Sequence, residues 1–164
     1  MPPTPTPTPN PSPTPVSGTV LVAIDGSPRA AGVLARAVVV ARAEGARLLL
    51  FRSIGLPADV PQHLWQLTDQ PLEVVLEQHA AAYLGECERA VPEEVRGGTR
   101  VVVGSPWQAI CETADAIGAT LIVIGSHGYS GIDRFLGTTA AKVVNHAHCS
   151  VLVVRDAPGH PSPS

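Results

Sequence analysis

Five short apolar runs, separated by longer segments of mixed polarity, dominate the pattern of this chain. They predict strands at residues 19–25, 46–54, 99–104, 119–125 and 150–155. The runs are continuous and do not alternate with polar residues, which is typical of strands buried on both faces. Because a sheet buries its strands in this way only when other elements cover both sides, the pattern favours a parallel sheet inside an α/β domain.

The segments between these runs carry apolar residues at helical spacing, which predicts four helices. In the first helix, Ser27 is the expected N-cap, Pro28 the first helical residue and Gly45 the terminating residue. The apolar stripes of the other three helices follow Leu72, Leu76, His79, Ala80, Tyr83 and Cys87, then Ile110, Ala114 and Ile117 before a closing Gly118, and finally Ala140, Val143, Val144 and Ala147. Residues 55–71 are expected to form a loop, and Gly97 and Gly98 to break the chain before the third strand.

Strands and helices alternate along the chain, and this order predicts an α/β fold. The expected architecture is a doubly wound, five-stranded parallel sheet with helices on both faces, Rossmann-like, with the last strand at an edge. Ligands of such sheets bind beyond the carboxyl ends of the strands, where the winding reverses. The residues at those ends are 25–27, Arg52 and Ser53, Gly104 and Ser105, and 125–128.

Proline content divides the chain into one domain and two tails. Residues 1–17 contain 8 of the 17 prolines and no charged residue, and residues 156–164 contain three more. Proline fixes φ and lacks an amide donor, so residues 1–17 are expected to be a disordered, extended tail. A PxxP ligand at Pro2–Pro5 is the alternative. The domain is expected to span 18–156 and a flexible C-terminal tail 157–164.

Charge and composition argue against several classes of partner. A net charge of −3 gives no basic face for duplex nucleic acid, and two Trp, two Tyr and two Phe are too few to stack single strands. The apolar runs are far shorter than the ~20 residues that span a membrane, and residues 1–17 lack the basic and apolar regions of a signal peptide. Three cysteines without CxxC spacing fit a reduced, cytoplasmic compartment.

The segment 121–139 carries the most informative candidate chemistry. A buried strand leads through four glycines, at 125, 128, 131 and 137, into a helix expected to begin near Thr138. Glycines let backbone amides approach an anion, and a helix N-terminus adds unpaired donors, so the amides of 126–128 and 137–139 are candidate phosphate donors. The hydroxyls of Thr138 and Thr139 are candidate helix caps or phosphate contacts. The segment is neither a GxxxxGK[ST] loop nor a GxGxxG fingerprint, and a tight, capped strand-to-helix connection explains it equally well.

Asp25 is the candidate ribose contact, because it ends the first strand beside the expected reversal of winding. An Asx turn with Gly26 is the alternative. His146, His148 and Cys149 are close in sequence, but helical positions two apart point away from each other and no further group completes a tetrahedral set. No metal site is therefore predicted. No Ser/His/Asp arrangement is recognisable, so no catalytic residue is predicted either.

Residues 18–155 resemble the universal stress protein family. The resemblance rests on VLVAIDGSP at 20–28, GSHGYSG at 125–131, the Gly137-Thr138 pair that opens the last helix, and HAHCSVLVVR at 146–155. In the ATP-binding members of that family the glycines follow the pattern G-2x-G-9x-G-(S/T). Gly125 and Gly128 keep the first spacing and Gly137-Thr138 supplies the end, but eight residues instead of nine separate Gly128 from Gly137.

The resemblance implies an adenine nucleotide alpha hydrolase-like fold and an adenine nucleotide as ligand, ATP with or without magnesium. It implies that Asp25 contacts the nucleoside. The matching phosphate-loop residues are Gly125, Ser126, His127, Gly128, Gly137, Thr138 and Thr139. Arg52 and Ser53 stand where the family usually has His-Val, so Ser53 falls at the base pocket. The substitution of this pair either changes the base pocket or leaves none, and the alternative for Arg52 is pairing with an acid at the surface.

The resemblance also implies a cytoplasmic stress-response protein that binds nucleotide and signals as a homodimer. The expected dimer contact is antiparallel pairing of the last strand, Ser150 to Arg155, across a two-fold axis. Two alternatives stay open. One is a family member that acts through protein contacts without nucleotide, and the other is a weak nucleotide hydrolase, which would need a positioned base and usually a metal.

Overall fold

The computed structural model describes residues 18–55, 70–126 and 136–155. Within them lie five strands: β1 (Thr19–Ala23), β2 (Arg47–Ile54), β3 (Arg96–Val103), β4 (Ala119–Gly125) and β5 (Ser150–Val154). All pairings are parallel, and the strand order is β3-β2-β1-β4-β5. The winding therefore reverses between β1 and β4, which confirms the predicted doubly wound α/β fold. β5 lies at one edge of the sheet, as expected.

The α-helices of the described residues cover both faces of this sheet. They are α1 (Ala30–Glu44), α2 (Leu72–Arg89), α3 (Pro106–Ile117) and α4 (Thr138–His146). Successive residues of a strand point to opposite faces, and the core divides accordingly. Val20 and Val22 of β1 pack in one cluster with residues of α1 and α2, whereas Leu21 packs in a second cluster with residues of α3 and α4. The continuously apolar strands are thus explained by burial on both sides.

The prediction that Gly97 and Gly98 break the chain is wrong, because both lie inside β3. The register between β2 and β3 shifts at this point, between Leu48 and Leu50 of β2. Such a shift is a β-bulge, which bends the strand and continues the pairing. A Cβ on Gly97 would lie 2.9 Å from the Leu48 carbonyl oxygen, and Gly98 has a φ of +101°. Because both glycines lack a side chain, the strand can continue through them, and β3 begins at Arg96, three residues earlier than predicted.

The predicted start of α1 is also wrong. The helix begins at Ala30 and not at Pro28, and the N-cap position is Arg29 and not Ser27. The Ser27 amide donates to Asp25 Oδ1 at 2.9 Å, and the Ala30 amide donates to the Ser27 carbonyl at 3.0 Å. These bonds close turns ahead of the helix, because a side-chain carboxylate competes with helical pairing for the backbone donors near it.

Helix ends and buried stripes agree with the sequence pattern at most positions. α1 and α3 end at Gly45 (φ 62°) and Gly118 (φ 61°), both left-handed as expected of terminating glycines. In α2, His79 is exposed although the predicted stripe includes it, and Leu84 is fully buried although the stripe omits it. Val144, expected on the buried face of α4, is 46% exposed. His79 and Val144 each adjoin a buried residue, and one residue turns about 100° around a helix, which moves them off the buried face.

Some predictions concern residues outside the described ranges. These are the two tails at 1–17 and 157–164, residue 156 of the domain, and residues 56–69 of the predicted loop. Within the described residues, no helix combines the length and the apolar composition needed to cross a membrane.

Candidate functional site

A cavity of about 1000 Å³ opens at the carboxyl ends of β1, β2 and β4, where the winding reverses. Every predicted site residue that the structure describes lines it: Asp25, Ser53, Gly125, Ser126, Gly137, Thr138 and Thr139. His127 and Gly128 lie outside the described residues. The fold therefore brings together residues from three strands and the N-terminus of α4 that are far apart in the chain.

Asp25 stands two residues beyond β1, with an exposed side chain that lines the cavity. Its Oδ1 accepts the amide of Ser27 at 2.9 Å, and Gly26 between them has a φ of +77°. The Asx turn considered from the sequence is therefore present. An ionised carboxylate accepts about four hydrogen bonds, so one turn bond leaves most of the acceptor capacity of Asp25 available to a ligand.

Two amides expected to bind phosphate are engaged within the protein. The Ser126 amide donates to the Val154 carbonyl at 2.9 Å, and the Gly137 amide donates to the Ser126 carbonyl at 2.7 Å. The first bond continues the pairing of β4 with β5, and the second fixes the chain above β4 where α4 begins. The Ser126 and Gly137 amides, expected from the sequence to face a phosphate, are therefore already paired in this structure. Both residues shape the cavity instead, and Ser126 is buried.

The N-terminus of α4 supplies donors in their place. Gly137 is the N-cap residue, so Thr138 and Thr139 are the first helical residues and not the cap. Amides in the first turn of a helix have no acceptor within the helix. Gly137 has no side chain with which to bond them. The amides of Thr138 and Thr139 therefore begin the helix as unpaired donors beside the cavity, where the helix dipole adds positive potential.

Arg52 at the end of β2 also lines the cavity. Its guanidinium carbon lies 5.0 Å from the ring centroid of Tyr83 on α2, a cation–π contact. Two guanidinium nitrogens lie 3.0 Å from the place a Cβ on Gly26 would occupy, so the glycine makes room for this side chain. Among the residues that the structure describes, no carboxylate forms an ion pair with Arg52. The surface acid pair considered from the sequence is absent from this part of the chain.

Tyr83 connects Arg52 to a second polar group. Burial and a hydrogen bond with Cys87 raise the pKa of Tyr83 above its ordinary value, and the negative charge of Asp25 adds to the rise. The positive charge of Arg52 acts in the opposite direction. The two charges at the strand ends are therefore both close enough to influence the same ring.

The cavity has mostly apolar walls, with a few charged side chains among its described lining residues. Its ionised side chains in the described residues are Arg29, Arg52 and Asp25, with exposed His79 nearby, although the whole chain has a net charge of −3. The apolar lining comes from Ile24, Ala30, Val33, Phe51, Ile54, Leu76, Ala80, Ile110, Ile124, Leu136, Ala140 and Val154. This combination suits a ligand that is flat and apolar at one end and anionic at the other.

His146 and His148, near the end of α4, contact protein groups outside the cavity. His148 Nδ1 lies 2.9 Å from Asp115 Oδ2, and His146 Nδ1 lies 2.8 Å from the Lys142 carbonyl oxygen. The described residues contain no group of three or more His, Cys, Asp or Glu side chains arranged to hold a metal ion.

Sequence reasoning undervalued Arg52 and did not select Arg29 or His79 as cavity residues. For Arg52 a signal was present, because a charged residue near the end of the apolar run LLLFRSI must lie at the rim of a buried sheet. For Arg29 and His79 no local pattern distinguishes them from ordinary surface residues of α1 and α2.

Comparison with known proteins places the chain among its relatives. A family model described as the universal stress protein family matches residues 17–155. A universal stress protein of Thermus aquaticus is 35% identical over 143 residues, covering 84% of this chain and 98% of the relative.

Solved structures agree with this result. The universal stress protein UspA from Lactobacillus plantarum superposes with a TM-score of 0.72 at 26% identity, covering 87% of this chain and 100% of that one. A universal stress protein solved in complex with cAMP superposes with a TM-score of 0.61 at 26% identity, covering 85% and 98%. Together with the matched fold and the family match over residues 17–155, these similarities show that the chain belongs to the universal stress protein family.

Proposed function

We propose that this protein binds an adenine nucleotide, ATP above all, in the cavity at the carboxyl ends of β1, β2 and β4. One observation carries the proposal. Asp25 and the N-terminus of α4 line the same cavity of about 1000 Å³, on neighbouring strands at the reversal of winding. An acceptor for ribose hydroxyls thus stands beside unpaired donors for phosphates.

The phosphates would lie at the start of α4. The amides of Thr138 and Thr139 point their donors out of the helix there, and the Thr138 hydroxyl is exposed for a further bond. Because the amides of Ser126 and Gly137 are paired within the protein, the phosphate would bind to the amides of this first turn of α4. A short helix terminus with two or three amides suffices for a phosphate.

The nucleoside would extend from Asp25 toward β2 and α2. Asp25 would accept bonds from the ribose, and the apolar walls near Ile54, Leu76 and Ala80 would enclose the base. Support comes from the relative that was solved with cAMP, which is an adenine nucleotide. Asp25 is the one carboxylate among the described lining residues, so magnesium would arrive with ATP, coordinated mainly by the phosphates.

We propose in addition that the protein acts in the cytoplasm as a regulatory homodimer. β5 lies at the sheet edge and pairs with β4 on one side. Its other side presents backbone donors and acceptors that a second copy of β5 would satisfy across a two-fold axis. The cavity is bounded by Val154 of β5, so nucleotide and dimer contact share an element.

The test uses the full-length protein. Purified protein is denatured, and the small molecules released are separated by chromatography; calorimetry then follows binding of ATP, ADP and AMP to nucleotide-free protein. The proposal expects a released adenine nucleotide or binding of ATP with saturable heat. Absence of both would overturn it and favour the alternative in which the protein acts through protein contacts alone.

A further inference from the structure

Arg52 stands on the strand next to the proposed ribose contact. β2 pairs with β1 in register, with Phe51 opposite Ala23; Arg52 comes one residue after Phe51, and Asp25 comes two residues after Ala23. Both side chains line the cavity. A positive and a negative side chain thus face the same region without forming an ion pair with each other.

The contacts of Arg52 fix its position and leave its donors available. The guanidinium carbon lies over the Tyr83 ring, 5.0 Å from its centroid, and the absent side chain of Gly26 lets the guanidinium nitrogens lie close to the backbone. Arg52 forms no hydrogen bond or ion pair with the described residues. The five N–H donors of a guanidinium point outward in its plane, and a cation–π contact does not consume them. A planar, oriented fork of donors is the group that best binds a phosphate in bidentate fashion.

The position of Arg52 defines what it would bind. Arg52 lies on the strand beside Asp25, the proposed ribose contact, so its guanidinium is close to the ribose oxygens. In dinucleotide-binding sheets of this class, an arginine near the ribose accommodates a 2′-phosphate. The 5′-phosphates are assigned to α4 on the other side of β1, so they do not reach Arg52 in the same pose. A phosphate on the ribose would reach Arg52, and the positive charge of Arg52 would offset the repulsion between that phosphate and Asp25.

We propose that Arg52 makes this a site for adenine nucleotides that carry a phosphate on the ribose 2′ or 3′ oxygen as well as on the 5′ oxygen. The inference rests on the proposed nucleotide function. Asp25 binds the ribose hydroxyl that remains, Arg52 binds the ribose phosphate, and the N-terminus of α4 binds the 5′-phosphate.

Isomeric nucleotides test the proposal. Adenosine 3′,5′-bisphosphate and adenosine 2′,5′-bisphosphate have the same composition as ADP, and differ from it only in where the second phosphate is attached. Calorimetry with wild-type protein is expected to show at least one bisphosphate binding about tenfold or more tightly than AMP. The isomer that binds more tightly identifies the ribose oxygen involved.

Variants then assign the effect to Arg52. Arg52→Gln is expected to remove the advantage of the bisphosphate over AMP while changing ADP binding by less than about threefold. Arg52→Lys keeps the charge but loses the fork and should retain only part of the advantage. Arg100→Gln, at an exposed position of β3 that does not line the cavity, is the control and should behave as wild type.

The outcomes separate this inference from the proposed function. If wild type binds AMP and ADP but binds neither bisphosphate more tightly than AMP, the inference is wrong and the nucleotide function stands. Equal losses for ADP and bisphosphate in Arg52→Gln also overturn it, because they would indicate a general effect of charge. If no nucleotide binds at all, both proposals fail. Should Arg52→Gln not fold, the wild-type comparison and Arg52→Lys still decide.

Discussion

Asp25 combines two tasks that different substitutions separate. Its Oδ1 accepts the Ser27 amide, and its negative charge is the proposed ribose contact. Asp25→Asn keeps an oxygen for the turn but removes the charge, so nucleotide affinity should fall by about 1–3 kcal/mol while the melting temperature stays nearly constant. Asp25→Ala should lose both the affinity and some stability. Calorimetry and thermal unfolding measure the two effects.

The matched control for this pair is Asp115→Asn. Asp115 is also an exposed aspartate bonded to one partner, His148, but it lies outside the cavity. Its substitution should leave nucleotide affinity unchanged. If Asp25→Asn and Asp115→Asn both bind nucleotide with the affinity of the wild type, Asp25 does not contact the nucleotide and only forms its Asx turn.

Tyr83 reports the charge of Arg52. Because the cation favours the phenolate, Arg52→Gln should raise the pKa of Tyr83 still further. Folded Tyr83 already holds its proton more tightly than an unfolded tyrosine does, so stability is lost as the pH rises from about 10 through the folded pKa. In the variant this loss extends to higher pH. Phenolate absorbance gives the titration, and Tyr83→Phe identifies its contribution against the second tyrosine. Superimposable curves for wild type and Arg52→Gln would contradict the contact.

At the scale of elements, the bulge in β3 predicts that a side chain at Gly97 would destabilise the protein. Gly97→Ala places a Cβ 2.9 Å from the Leu48 carbonyl oxygen, a backbone atom that cannot move without disturbing the β2–β3 pairing. The free energy of unfolding should fall by about 1–3 kcal/mol. Gly85→Ala in α2 is the matched control, since nothing lies within 4 Å of its added Cβ. It should gain about 0.5–1 kcal/mol from reduced freedom of the unfolded chain. Denaturant unfolding compares them, and equal stability of the two variants would exclude the tight contact.

The same elements show what a sequence can and cannot predict. The strands, their order and the covered sheet follow from continuous apolar runs and alternation with helices, which depend on burial alone. The Gly97-Gly98 pair is ambiguous, because glycines mark a break and a bulge equally well and only the neighbouring strand decides. The start of α1 depends on which acceptor captures the Ser27 amide. The local sequence pattern does not indicate whether the Ser27 amide bonds to the Asp25 carboxylate or whether the helix already begins at this residue.

For the candidate site, the sequence likewise predicts which residues come together but not how their backbone amides are paired. Asp25 and the residues around Gly125 and Gly137 are found by their positions at strand ends, and the cavity brings them together. Which amides remain unpaired is not predictable. The Ser126 amide is engaged because the pairing with β5 continues one residue beyond the end of β4, to the Val154 carbonyl.

At the scale of the whole molecule, the exposed edge of β5 predicts assembly. Five residues of β5 pair with β4, and the opposite edge of this apolar strand is covered by no other strand of the described residues. An open apolar edge favours pairing with another chain unless it is covered. Two copies related by a two-fold axis would pair antiparallel and bury both edges at once. Light scattering at tens of micromolar should therefore give the mass of a dimer.

The variant Val153→Lys tests where the dimer contact lies. A lysine in β5 introduces a charge that an antiparallel copy would desolvate and repel across the axis, so the measured mass should fall to that of a monomer. Val39→Lys is the control, because Val39 is an apolar residue that is 57% exposed and lies on α1, not on β5; it should remain a dimer. Since Val153 also packs partly against the core, circular dichroism checks that the variant stays folded. Hydrogen exchange of the wild-type protein gives a second, independent measurement. Amides of β5 should become better protected as protein concentration rises through the dimerisation range. A monomeric wild type, or a dimeric Val153→Lys with concentration-independent exchange in β5, would place the contact elsewhere or exclude it.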